Sequence, residues 1–243
     1  MKRRANILLI DIENFPNTGL FWDGMYEQNI ISITDYGQLL SFAYKWLGED
    51  KVYAHSLNEF KTQKLKSLLR KLHEVMSMAD IIIAHNGNAF DIKKANAYFI
   101  RHGFKPLPPR KQIDTLLIAK RYFKFPSNKL TELGKYLGLG VKVETGGFKL
   151  WQDCYNGKQD AWKRMIKYNK YDVVLLEMVY LKMLPWVENH PNLNVLTNHK
   201  ESCPNCSRNS LQKRGKQMMS KKLVQRYQCM SCGTWTNENK LIK

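Results

Sequence analysis

The chain predicts an α/β fold, a mixed sheet flanked by helices, with a small cysteine-bearing module at its C-terminal end. Three observations carry that prediction. The near-continuous apolar run from Asn6 to Asp11 reads as a central strand covered on both faces. Apolar residues at Leu65, Leu68, Leu69, Leu72, Val75 and Met76 recur at helical spacing. The patterns follow one another as three strands, a helix, a strand, a helix and another strand, an order that suits a mixed sheet. The 243 residues are enough for one substantial domain and an appendage.

Element by element, Leu39 to Leu47 reads as the second strand and Lys51 to Ser56 as the third, joined by a turn at Gly48-Glu49-Asp50. Phe60 to Met78 is a helix and Ile81 to Ala84 a short buried strand. Ile92 to His102 is a helix, stopped by Gly103 and the Pro106-Leu107-Pro108-Pro109 segment. Gln112 to Thr115 reads as a strand, with a helix over Leu116 to Phe123. Another helix spans Leu130 to Leu137, with Asn128 or Ser127 as N-cap and Gly138 as stop. Lys142 to Lys149 reads as a glycine-containing loop, and Ala161 to Leu184 as a long helix ending at Pro185. The stretch His190-Pro191-Asn192-Leu193-Asn194 breaks the pattern. The expected division is a domain over 1–189, a linker over 190–198 and a cysteine module over 199–243.

Charge narrows the function. Thirty-nine Lys and Arg against 21 Asp and Glu give +18, with a sequence pI of about 9.7. The natural partner of such a chain is a polyanion, and nucleic acid is the reading adopted. A membrane surface would call for a basic amphipathic helix, and none is clear. The start Met1-Lys2-Arg3-Arg4 imitates the basic end of a signal peptide, but the apolar run behind it stops at Asp11, too soon for export. No stretch is long enough to span a bilayer. A cytoplasmic protein is expected, with no obligate protein partner evident. In that reducing setting five cysteines argue for metal rather than disulfides.

Candidate catalytic residues fall in three stretches. Asp11 and Glu13 are two apart on a strand, so their side chains share a face at the strand's C-terminal end. Their mutual repulsion is tolerable if a divalent cation lies between them. A bare pair of acids at a strand exit is the simpler alternative. Asp91 follows the Ile81–Ala84 strand in the string His85-Asn86-Gly87-Asn88-Ala89-Phe90-Asp91. It begins a helix, where capping alone would explain an acid. Tyr168 and Asp172 are four apart in the long helix and share a face. A boundary between the solvated face and the core would explain them equally.

Taken together, the three stretches resemble the DnaQ-like DEDD superfamily of 3′–5′ exonucleases. They match Asp-x-Glu, Asn-x-x-x-Phe-Asp and Tyr-x-x-x-Asp. The last form marks the tyrosine-bearing branch (DEDDy), which includes proofreading domains of family-B DNA polymerases. The histidine branch would need His at the position of Lys167. The resemblance covers Asn6 to Trp186 and takes in Ile113-Asp114-Thr115. Asn14 departs from the Thr or Ser frequent after the first motif.

The resemblance implies a ribonuclease H-like fold and two Mg²⁺ or Mn²⁺ ions that clamp the attacking and leaving oxygens of an in-line displacement. Asp11, Glu13 and Asp172 would hold one ion. Asp11 would bridge to the second, with Asp91 on it directly or through water. Tyr168 would orient the attacking water, since a phenol with a pKa near 10 is a poor base at pH 7. Asn86 and Phe90 would meet the substrate. The products would be 5′-mononucleotides, from single-stranded or 3′-ended DNA, with RNA as the other option.

The C-terminal module carries Cys203-Pro204-Asn205-Cys206 and Cys229-Met230-Ser231-Cys232, two knuckles at zinc-ribbon spacing. Four thiolates would hold one structural Zn²⁺, which gives a short segment folding free energy that it cannot obtain from a core. Cys154 is left over and reads as an ordinary half-buried thiol. Lys213, Arg214, Lys216, Lys221, Lys222 and Arg226, with Tyr227 and Trp235 nearby, would engage phosphates and bases. The module would then tether substrate near the active site. Two other readings compete with the exonuclease: a structure-selective endonuclease of the same fold, and a non-catalytic zinc-ribbon nucleic-acid binder.

Overall fold

A computed structural model of the chain describes residues 5–22, 29–140, 146–198 and 201–241. The first four residues, and 142–145 of the expected loop, lie outside them. Strand β1 (Ile7–Asn14) continues three residues past Asp11. A small hairpin of β2 (Thr18–Leu20) and β3 (Ser32–Asp35) follows, then β4 (Leu39–Trp46) and β5 (Val52–Ser56). Next come α1 (Lys64–Ser77), β6 (Ile81–Ala84), α2 (Asp91–Arg101), β7 (Lys111–Asp114) and α3 (Thr115–Tyr122). Three helices follow, α4 (Leu130–Tyr136), α5 (Lys149–Tyr155) and the long α6 (Gln159–Met183). The chain closes with α7 (Leu193–Thr197), β8 (Leu211–Met218), β9 (Leu223–Cys229) and β10 (Trp235–Asn237).

The main sheet has the order β5-β4-β1-β6-β7. β1 runs antiparallel to β4 and parallel to β6, and β6 is parallel to β7. This is the expected mixed α/β sheet, ribonuclease H-like, with β1 at its centre. The apolar run of β1 serves two cores because side chains alternate across the sheet. Leu9 faces α6 and packs with Val173, Leu176 and Val179. Leu8, Ile10 and Ile12 face the other way, onto Leu68, Leu72 and Val75 of α1 and Phe99 of α2. Removing each of these large side chains from water contributes about 1.5–3 kcal/mol. Asp11 and Glu13 continue the Leu9 register, so the face that packs on α6 turns acidic at the C-terminal end of the strand.

Several expectations need correction. The first helix begins at Lys64 rather than Phe60, after a 3₁₀ turn at Leu57–Glu59 and a left-handed Gln63 (φ 43°). Neither Asn128 nor Ser127 is the N-cap of α4. Lys129 holds that position, and the Ser127 hydroxyl accepts its N–H at 3.3 Å. Lys149, assigned to a loop, starts α5, a helix the periodicity did not reveal. The β2–β3 hairpin also went unread. Cys154 is buried in full rather than by half (1% exposed), and burial pushes its thiol up to about 11.

The segment 190–198 is no free linker. It contains α7, and Leu193, Asn194 and Thr197 are buried. Asn194 donates to Ser202 O and accepts from the Ser202 hydroxyl, both at 2.7 Å, while Leu193 N donates to Pro204 O at 2.7 Å. The cysteine module is thereby seated on the main core. Thr234 Oγ1 donates to Leu184 O, Asn205 donates to Val187 O, and Cys232 packs on the cluster that holds Tyr180 and Leu184. No helix among the described residues is long and apolar enough to cross a membrane.

Candidate active site

Three carboxylates meet near the C-terminal end of β1, past its pairing with β6. Asp11, Glu13 and Asp172 can each offer an oxygen such that all three lie within 4.8 Å of one another. β1 supplies the first two and the middle of α6 the third. α6 is held across the sheet by the buried apolar flank and by the Lys45–Glu177 ion pair to β4. Such crowding of like charge has a cost, and the Asp11 carboxyl records it. Burial and the neighbouring Glu13, Asp91 and Asp172 hold its pKa well above the usual carboxylate range, against one hydrogen bond from Asn169. A clustered, oxygen-only donor set of this kind fits a hard divalent cation.

Asp91 stands beside this triad, not in it. The parallel ladder between β1 and β6 ends at Leu9↔Ile83. Further along, Ile12 N donates to Asp91 Oδ1 at 3.0 Å, so the carboxylate takes the place of a strand partner. Desolvation pushes the Asp91 pKa up to about 7, with Asp114 adding to the rise. The turn that delivers Asp91 is sterically demanding. Asn86 is left-handed (φ 63°), and a Cβ on Gly87 would sit 2.4 Å from the Ala84 Cβ. Asp114, at the end of β7, grips this turn by accepting from Asn86 N (2.9 Å) and Asn88 N (3.1 Å), and it also caps α3. Asn86 and Phe90 are exposed on the turn.

Tyr168 is buried on α6, its ring edge-on to Trp151 of α5 at 6.0 Å. Burial, and then the charges of Asp172 and Glu13 together with a hydrogen bond to Asp172, push its hydroxyl far above the ordinary phenol value. It stays a protonated donor at neutral pH. Lys167, at the position a histidine would need, is exposed.

Some site residues were not foreseen. Asp114 lay in a string noted only for its resemblance. Asn169 and Ser41 carried no signal beyond a polar residue inside an apolar helix face and one inside an apolar strand. Trp151 was hidden with its helix.

At the other end of the molecule the four cysteines converge, their sulfurs within 4.8 Å of one another. Cys203 and Cys232 sulfurs are 3.6 Å apart, and Cys206 and Cys229 sulfurs 3.7 Å. A tetrahedron with metal–sulfur bonds of about 2.3 Å has edges of about 3.8 Å, so the set fits Zn²⁺ and is compatible with a zinc ribbon. Lys213, Arg214 and Lys216 are exposed on β8, and Lys221 and Lys222 on the turn after it. Arg226 is half-buried on β9, its guanidinium 4.7 Å from the Trp235 ring. Pro185, against which Gly233 packs, follows Asp172 by about 20 Å of helix. The docked face of the module therefore lies at the C-terminal end of α6, beyond the mid-helix position of Asp172.

A family model described as the RNase_H superfamily matches residues 34–184. The chain belongs to the RNase H superfamily. The match includes Asp91, Tyr168 and Asp172, and begins after Asp11 and Glu13. RNase H-like nucleases generally use divalent metal ions. No curated protein matches the chain. Among solved structures, the family B DNA polymerase from the hyperthermophilic archaeon Pyrobaculum calidifontis is similar in fold, with a TM-score of 0.52 at 12% identity. The match covers 90% of this chain and 32% of the polymerase chain.

Proposed function

We propose that this RNase H superfamily member is a metal-dependent 3′–5′ exonuclease that removes 5′-mononucleotides from DNA, with RNA as the alternative polymer. The observation that carries the reading is the meeting of Asp11, Glu13 and Asp172 beside the Tyr168 hydroxyl. The three carboxylates would hold Mg²⁺ or Mn²⁺, with Asp91 adjacent. When bound, such ions supply a nucleophile at neutral pH and stabilise charge on the phosphoryl oxygens. The chain's own groups do the positioning. Tyr168 keeps its proton and would orient the attacking water rather than removing a proton from it as a base. Asp114 holds the turn that carries Asp91 and the exposed Phe90 ring, on which a terminal base would stack. A nuclease unit over 1–189 and a zinc-bearing unit over 199–243 complete the proposal. Cys203, Cys206, Cys229 and Cys232 hold the zinc, and the exposed cations of β8 and its turn meet phosphates.

The test is a 5′-labelled oligonucleotide incubated with the protein and Mg²⁺ or Mn²⁺. A ladder that shortens from the 3′ end is the expected result. Internal cuts on a circular strand would replace this reading with an endonuclease. Tight binding with no turnover would leave only a zinc-bearing binder.

A further inference from the structure

Asn169 is buried in full, one residue past Tyr168 on α6. Its Nδ2 lies 2.6 Å from Asp11 Oδ2 and 3.2 Å from the Asp11 main-chain oxygen. Its Oδ1 lies 3.0 Å from the Ser41 hydroxyl on β4, and Ser41 is itself fully buried and paired in register with Glu13. The amide can sit only one way round. A main-chain carbonyl accepts and never donates, so the NH₂ side must face Asp11. Oδ1 then faces Ser41, whose hydroxyl donates. Both amide hydrogens and the amide oxygen are thus engaged, which is the condition under which a buried amide is tolerated and rigid.

We propose that Asn169, held in turn by Ser41, is a positioning residue that fixes the Asp11 carboxylate for cation binding. The chemistry of the amide suits that task. Asp11 faces three carboxylates that repel it, so something must hold it in place before a cation arrives. A lysine would do so by neutralising the charge the cation needs. An amide gives direction without adding charge. It engages one carboxylate oxygen, Oδ2, and leaves Oδ1 clear of the amide. The relay crosses β4, α6 and β1, so it also sets how close Asp172 comes to the β1 pair. The inference rests on the reading of the acids as a divalent-cation site.

Calorimetric titration of Mn²⁺ into the full chain tests it, with Asn169→Ala, Ser41→Ala and, as a control on the acids, Asp172→Ala. Asn169→Ala is expected to weaken Mn²⁺ binding by about tenfold or more, the usual scale for losing a group that orients a metal ligand. Ser41→Ala, which leaves the amide in place but unheld, is expected to weaken it by about threefold. Asp172→Ala is expected to abolish binding. Parent-like affinity in Asn169→Ala, even with a lowered melting temperature, overturns the positioning role and leaves the acidic site standing if Asp172→Ala has lost binding. Should Asn169→Ala fail to fold, parent-like affinity in Ser41→Ala overturns the positioning role in its place. Parent-like affinity in Asp172→Ala overturns the cation site itself, and the positioning role with it.

Discussion

Two places along α6 solve the metal-site problem in opposite ways. At the first, mid-helix, acids from β1 and α6 are brought together only by the completed sheet, and they repel one another until something positive arrives. At the other, two local knuckles bring four sulfurs to tetrahedral spacing. The first resembles a site built for exchangeable, hard ions and chemistry. The second resembles a clamp that contributes to folding. The difference teaches that one helix can join a strained site to a stabilising one, so the two should respond differently to the same kind of perturbation.

The sharpest way to break that contrast is to remove one ligand from each site. Asp11→Ala or Asp172→Ala should lower the nuclease rate by about 10³-fold or more with the circular dichroism spectrum unchanged. A variant that cleaves at the parent rate would take the acids out of the mechanism. Cys232→Ser should do the reverse, lowering the thermal midpoint of the whole chain by roughly 5–15 °C, because Cys232 packs on Tyr180 and Leu184. Two separate calorimetric transitions, with the main one unmoved, would show that the module is not coupled to the core.

A smaller effect sharpens the comparison on the substrate side. Replacing Lys213, Arg214 and Lys216 together by Ala should weaken oligonucleotide binding by about tenfold at moderate salt and lower the salt slope by about 0.7 for each lost single-strand contact. The cleavage rate at saturating substrate should hold, because these cations sit on the module that docks at the far end of α6. Fluorescence anisotropy across a salt series separates the two quantities.

The smallest effect concerns protons. Asp91 titrates at about 7 in the folded chain, above its ordinary value, so the folded state binds its proton more tightly than the unfolded state does. Its contribution to stability is complete below about pH 4 and is lost as pH rises through about 7. The metal-free protein should therefore melt a few degrees higher at pH 5 than at pH 8, and Asp91→Asn should flatten that difference. Parallel melting curves of parent and variant across this range would rule it out.

Sequence carried the parts of this structure that are local or strongly periodic. The β1 run, the α1 spacing and the Pro185 stop are all visible in the chain, as are the knuckles, whose chemistry is written within four residues. The acids were legible as a pattern of three spaced motifs. Ser41, Asn169 and Asp114 were not, because each acts on a residue far away in the chain and looks locally like any polar residue. The short α5 was missed because seven residues give little periodicity. The 190–198 stretch looked like a linker because Pro, Asn and His signal irregular backbone and say nothing of what that backbone packs against.

The seating of Gly233 against Pro185 has a practical corollary for anyone who trims the chain. Tyr180, Leu184 and Val187 are shielded in part by the knuckles themselves. A fragment stopping at residue 198 would expose this greasy patch to solvent and invite self-association. Loss of nucleic-acid affinity in such a fragment would then mix missing cations with clumping, whereas point changes on β8 keep the seal shut.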